Sequence, residues 1–299
     1  GNRGSARVSV VLRLLNPYLR LTEKTHMARA VTPALLRRSF ERKARLFFHG
    51  PRTVRTSVWA GGGLELSGPE HGPVILYLHG GGFIFGSPET HRAMVARLCA
   101  IAGMRAILPR YRLAPEHPFP AAQEDAMTAY RAVMDRPGGV FLGGDSAGGA
   151  LALSLLAQIT AEGLPQPRGT FAFSPLTDLS YSGASFTQNA RRDVVLPAER
   201  AGEMGEMFLR GTSARNPRAS PLFAQFKGAA PVWLTVGDTE ILLDDTQRMA
   251  AHLRSAGVNV TAIIKPDHPH VWPIFHNILP EARQTLHEVA AWLTSLARQ

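Results

Sequence analysis

Ser146 stands in Gly144-Asp145-Ser146-Ala147-Gly148, which fits the pattern G-x-S-x-G. The apolar run Val140-Phe141-Leu142 before it reads as a short buried strand, and Ala150–Leu156 after it reads as a buried helix. A serine on such a strand-to-helix turn is held in a tight backbone conformation that exposes its Oγ at the sheet edge. Small neighbours are needed because the turn brings the strand and helix backbones close together. The following helix aims its first N–H groups at this spot and favours developing negative charge there. These residues read as a nucleophile elbow for acyl transfer.

A second stretch supplies what a serine nucleophile needs. His79-Gly80-Gly81-Gly82-Phe83 follows the strand-like run Pro73–Leu78. An oxyanion forming at an attacked carbonyl requires N–H donors about 3 Å away, and only unencumbered backbone wraps that closely. The expected donors are Gly81, Gly82 and Ala147, the residue after the serine. A phosphate-cradling loop does not fit, because neither G-x-G-x-x-G nor a Lys-Ser/Thr pair follows the glycines. His79 is expected to buttress the loop by hydrogen bonding.

Three blocks in this order carry a resemblance: His79–Gly82, then Tyr111-Arg112-Leu113-Ala114-Pro115-Glu116-His117-Pro118-Phe119-Pro120-Ala121-Ala122, then Gly144–Gly149. The chain resembles the bacterial hormone-sensitive-lipase-like esterases, in the branch with the Gly-Asp-Ser-Ala-Gly motif. The match continues through Asn216–Leu222 to Leu279-Pro280-Glu281-Ala282 and spans about residues 15–290. It implies an α/β-hydrolase fold with an N-terminal helical cap, and hydrolysis of short-to-medium acyl esters.

A serine hydroxyl needs an imidazole, itself oriented by a carboxylate, and in this fold both follow the serine in the chain. His252 and His287 fall within amphipathic helical patterns, whereas His268 and His270 lie in a loop after the strand at 259–264. The family's histidine precedes a small apolar residue and an aromatic, so the resemblance selects His270, before Val271-Trp272; His268 is the alternative. For the acid, Asp238, Glu240, Asp244 and Asp245 all follow the strand at 231–236, and the last two suit a helix N-terminus without any catalysis. The family pattern points to Glu240, with Asp238 as the alternative; many relatives carry Asp at that position. Asp145 is expected to make structural hydrogen bonds, and Glu116 and His117 to serve a rigid Pro-rich scaffold.

The elements that must position these groups alternate along the chain. Strands are expected at 52–59, 73–79, 105–110, 140–143, 170–174, 231–236 and 259–264. Helices are expected at 90–102, 121–134, 147–160, 244–256 and 281–297. Such alternation implies an α/β fold with a mostly parallel sheet covered on both faces. Helices at 9–21 and 33–48 and a break at 176–230, with an amphipathic helix near 198–210, stand outside the rhythm. We expect residues 1–50 to form an N-terminal cap segment, residues 51–299 the catalytic domain, and 176–230 a cap insertion.

The 299 residues carry a formal charge of +10, but residues 1–55 hold 13 Lys/Arg against Glu23 and Glu41 alone. The rest of the chain is nearly neutral, and within 35–48 the basic residues alternate with apolar ones at helical spacing. This reads as a solvated helix face packed on the body, rather than a nucleic-acid or lipid patch. No apolar run reaches membrane-spanning length, and Val8–Leu12, interrupted by Arg13, makes a poor signal peptide. Cys99 alone excludes an internal disulfide and agrees with a cytoplasmic location; its helical apolar pattern makes it core.

No cofactor or metal is expected, since His268-x-His270 alone is too little for a ligand set. The expected partner is a small ester, bound beside Phe83 and Phe85, with Phe47, Phe48, Met204, Met207 and Phe208 adding to an apolar pocket. The resemblance adds a homodimer through the strand at 259–264. Two other readings stand beside the esterase: a hydrolase of amides or lactones, and a non-catalytic ligand receptor on the same fold.

Overall fold

The computed structural model describes residues 8–299, so the part of the expected cap segment at 1–7 lies outside the described residues. Eight strands form one sheet in the order β1-β2-β4-β3-β5-β6-β7-β8. These are β1 (Thr56–Val58), β2 (Gly63–Leu66), β3 (Val74–Leu78), β4 (Arg105–Pro109), β5 (Val140–Asp145), β6 (Gly169–Phe173), β7 (Val232–Gly237) and β8 (Val260–Lys265). The pairs from β4 to β8 are parallel, while β1–β2 and β2–β4 are antiparallel. No strand is expected at β2 from the sequence, because four residues are too few to show an alternating pattern.

Side-chain alternation divides β3 between two cores, as a pleated strand must. Val74, Leu76 and Leu78 join the core that includes residues of α5 (Ala121–Val133), α6 (Ala147–Glu162) and α9 (Leu243–Ser255). Ile75 and Tyr77 join the opposite core, with α4 (Pro88–Ala102) and α10 (Pro280–Ala297). The helix α4 starts on a capping box between Ser87 and Thr90 and ends on Gly103 in the left-handed conformation. Buried Cys99 belongs to the second core, where burial pushes its thiol up to about 12.

The strand order reverses direction at β3, which lies between β4 and β5. Leu78 and Gly144 are register partners, so the loops leaving β3 and β5 emerge side by side at the carboxyl edge. A crevice at such a switch point is where open α/β sheets bind ligands.

A helical layer stands apart from the sheet. It comprises α1 (Val10–Leu19), which runs through a π-helical turn at Arg20–Lys24 into α2 (Thr25–Arg29), then α3 (Pro33–Phe47) and α8 (Ala198–Leu209), which follows the short helix α7 (Ser185–Gln188) in the chain. Thr32, whose hydroxyl accepts the Leu35 N–H, and Pro33 at the first helical position start α3. Two residues of the basic N-terminal segment fasten this layer to the body through backbone carbonyls. Lys24 Nζ donates to Ala190 O (2.7 Å) and Asp193 O (2.6 Å), and Arg37 donates to Ile84 O (2.8 Å) and Ala114 O (2.9 Å). Within the layer, Arg200 of α8 holds the end of α2 by donating to Ala28 O and Ala30 O at 2.8 and 2.9 Å. No helix among the described residues is long and apolar enough to cross a membrane.

Candidate active site

Ser146 occupies the junction between β5 and α6 with φ +52° and ψ −122°, a conformation that costs a non-glycine residue about 1–3 kcal/mol. The strain is held from both sides: Ser146 N–H donates to Phe173 O at 2.9 Å, and its carbonyl accepts from Ala150 and Leu176. Gly148 must be glycine, because a Cβ there would lie 2.0 Å from Leu78 O. The turn leaves Ser146 partly exposed in an otherwise buried segment.

Three side chains from three loops meet here. Ser146 Oγ lies 2.9 Å from His270 Nε2, and His270 Nδ1 lies 2.6 Å from Glu240 Oε1. With Nδ1–H donating to the carboxylate, Nε2 is free to accept the serine proton. The second Glu240 oxygen accepts from Gly237 N–H at 2.6 Å and from Ser174 O–H at 2.8 Å. Ser174 Oγ also accepts the Val271 N–H at 3.1 Å, so one hydroxyl ties the acid loop to the histidine loop.

Burial shapes the protonation of this group. It disfavours the His270 imidazolium, but the Glu240 hydrogen bond and charge outweigh it and hold the ring above the ordinary histidine value. Burial likewise pushes the Glu240 carboxyl up, opposed by His270 and the Gly237 N–H.

The glycine loop faces the serine. Gly81 has φ +126°, and a Cβ on it would lie 2.0 Å from Phe85 O. Among the described residues, the N–H groups of Gly81, Gly82 and Ala147 find no hydrogen-bond acceptor. Asp145 braces the loop: its Oδ1 accepts Tyr77 O–H (2.7 Å) and Gly80 N–H (3.1 Å), and its Oδ2 lies 3.0 Å from His91 Nε2. His79 hydrogen-bonds Gly80 O at 2.7 Å and stacks on Tyr111, whose hydroxyl donates to His79 O. Burial and the neighbouring His91 lower the His79 pKa to about 3, so the ring is a neutral prop.

The sequence pattern of the family described as alpha/beta hydrolase fold matches residues 75–274. The chain is similar to an acetyl-hydrolase of Streptomyces hygroscopicus, 39% identical over 75% of this chain and 76% of that protein. It is also similar to an esterase of Acinetobacter venetianus, 31% identical over 93% and 94% of the two chains. A crystal structure of an esterase from the bacterial hormone-sensitive lipase family superposes with a TM-score of 0.89 at 33% identity, covering 97% of this chain and 99% of the other. The chain belongs to the α/β-hydrolase fold family, among its hormone-sensitive-lipase-like esterases.

In this hydrolase the other candidate acids and bases are occupied elsewhere. Asp238 Oδ1 accepts the Asp267 N–H at 2.8 Å, and Asp244 accepts the Ser185 N–H. Asp245, buried and raised to about 7, accepts the N–H groups of Thr177 and Asp178. His268 bonds Pro266 O and packs edge-on against Trp272 at 4.7 Å. Glu116 pairs with Arg37 at 2.7 Å and joins the Pro-rich loop to α3.

The hydrolase cleft over Ser146 is apolar, with Phe40, Phe85, Leu176, Met204 and Ile274 among its walls. Met204 sits over the glycine loop: its Cε is 2.9 Å from where a Cβ on Gly82 would be. Of the two phenylalanines expected beside the substrate, Phe85 lines the cleft and Phe83 does not. Phe83 has φ +63°, which turns its ring into the core, stacked on Phe208 at 3.9 Å. Phe48 lines the cleft, whereas Phe47 is exposed on α3 and Phe208 is buried beneath the loop. The sequence reading does not single out Ser174, His91, Asn189 or Asp193. Asn189 Nδ2 donates to Asp238 O and Glu240 O at 3.1 and 2.8 Å, and Asp193 Oδ2 accepts from Ile241 N–H.

Proposed function

We propose that the protein is a carboxylic ester hydrolase that cleaves short-to-medium acyl esters through an acyl-enzyme on Ser146. The observation that carries this reading is the line from Ser146 Oγ to His270 to Glu240, at 2.9 and 2.6 Å, beside three backbone N–H groups that find no acceptor among the described residues. Ser146 Oγ attacks the ester carbonyl as His270 Nε2 takes its proton, and Glu240 orients and stabilises the resulting imidazolium. Gly81, Gly82 and Ala147 donate to the tetrahedral oxyanion. The C–O bond then breaks, His270 returns the proton to the leaving alcohol, and water hydrolyses the acyl-enzyme by the same steps.

The names of the relatives, acetyl-hydrolase and esterase, support an ester substrate with a small acyl group. The helical layer supports a cap role, because residues of the π-helical turn, α2, α3 and α8, such as Glu23, Met27, Phe40 and Met204, all border the cleft. β8 is an edge strand and only half-buried, which suits pairing with a second copy. The test is hydrolysis of p-nitrophenyl esters from acetate to palmitate by wild type and Ser146→Ala. Turnover of the short esters, abolished in the variant, is the expected result; a folded protein that cleaves none of them would sink the proposal.

A further inference from the structure

The helix α1 is apolar on two opposite sides. Leu12, Leu15 and Leu19 are buried against Val194, Trp272 and Leu279, as an amphipathic helix requires. Yet Val10, Leu14 and Tyr18 of α1 and Leu21 of the π-helical turn that continues it, spaced i, i+4, i+8 and i+11, form a second stripe that points to solvent, with Leu14 67% and Leu21 76% exposed. Such a stripe on a soluble surface marks something that covers it. In the same layer Val31, Leu46 and Phe47 are also exposed.

The charge carried by the helices of this layer selects its occupant. Arg13, Arg29, Arg38, Arg42 and Arg45 are exposed on α1–α3 and, among the described residues, join no ion pair. Glu23, one of the two acids within residues 1–55, is neutralised by Lys43 at 2.6 Å. A second copy of this face would meet it positive against positive. Nucleic acid would use the arginines and leave the leucines uncovered. An anionic bilayer satisfies both, since its phosphates take the arginines and its acyl boundary takes the apolar side chains.

We infer that the outer face of the α1–α3 layer docks on anionic phospholipid surfaces, with Val10, Leu14, Tyr18 and Leu21 entering the headgroup region and the exposed arginines meeting the phosphates. The inner side of the same layer borders the cleft, so docking brings the cleft up to the lipid; it does not depend on the proposed reaction. Each arginine at the surface contributes about a five-fold factor in binding at low salt, and each buried leucine about ten-fold.

The experiment is co-sedimentation of the full chain with phosphatidylglycerol-containing vesicles and with pure phosphatidylcholine vesicles, at low and high salt. Wild type is compared with the double variant Leu14→Glu/Leu21→Glu, whose exposed positions leave folding intact by circular dichroism. The expected result is binding to the anionic vesicles only, weakened by salt and reduced at least about ten-fold in the double variant. Hydrolysis of soluble p-nitrophenyl butyrate should be unchanged. No binding, equal binding to both vesicles, or equal binding by the variant overturns the proposal. So does tight binding of duplex DNA that the variant retains while the vesicles go unbound.

Discussion

Asp193 Oδ2 accepts the backbone N–H of Ile241 at 2.9 Å, one residue beyond Glu240. Its Oδ1 accepts the Val195 and Leu196 N–H groups, both at 2.9 Å, so a buried carboxylate pins two loops at once. It also adds negative charge behind the His270–Glu240 pair and helps to hold the His270 pKa up. We predict that Asp193→Asn lowers kcat/KM, by up to about 10²-fold through displacement of Glu240, and moves the acid limb of the pH profile to lower pH. A purely structural role would lower activity without moving that limb.

The pH profile of wild type follows from the same charges. In the proposed mechanism His270 must be neutral to accept the serine proton, so kcat/KM should rise with pH as the ring loses its proton. Because Glu240 raises the His270 pKa against the effect of burial, the midpoint should lie above the ordinary histidine value. Glu240→Gln keeps the shape but removes the charge. Its acid limb should fall below that of wild type, and kcat should drop about 10⁴-fold, as when the carboxylate of a serine–histidine–aspartate triad is replaced by an amide. An unmoved limb in this variant would contradict the assignment of Glu240.

Phe83 and Phe85 are two residues apart and should behave differently on truncation. Phe83→Ala deletes a fully buried ring stacked on Phe208 and should cost about 3–5 kcal/mol of stability, measured by denaturant unfolding. Phe85→Ala opens the cleft wall and should change chain-length preference with a smaller loss of stability.

Met204 lies over Gly82 and narrows the cleft beside the serine. Met204→Ala should move the preferred p-nitrophenyl ester to a longer acyl chain. A preference identical to that of wild type would show that the methionine does not limit the acyl site.

What could be read from the chain, and what could not, divides by how local the signal is. The β5–elbow–α6 unit is legible because an apolar strand, a G-x-S-x-G turn and an apolar helix occupy consecutive residues. β2 is hidden because four residues beside a Gly-rich turn carry no period. Ser174, Asn189 and Asp193 are silent for a different reason. Each acts on a loop about 50 or more residues further along, and nothing in its own neighbourhood records that meeting. Phe83 is misread because it follows three glycines in an apparently open loop, whereas a positive φ turns its ring inward. The family pattern points to Glu240 rather than Asp238, two residues apart, where residue type alone does not; in the structure Glu240 faces His270 while Asp238 Oδ1 accepts the Asp267 N–H.

The fastening of the helical layer has an evolutionary consequence. Lys24, Arg37 and Arg200 each grip main-chain oxygens: Ala190 and Asp193, Ile84 and Ala114, Ala28 and Ala30. A carbonyl is present whatever residue carries it, so these joints survive replacement of the side chains they hold. Sequence drift in the gripped loops therefore leaves the layer seated, and the walls it lends to the cleft can diversify one residue at a time while Ser146, His270 and Glu240 keep their places.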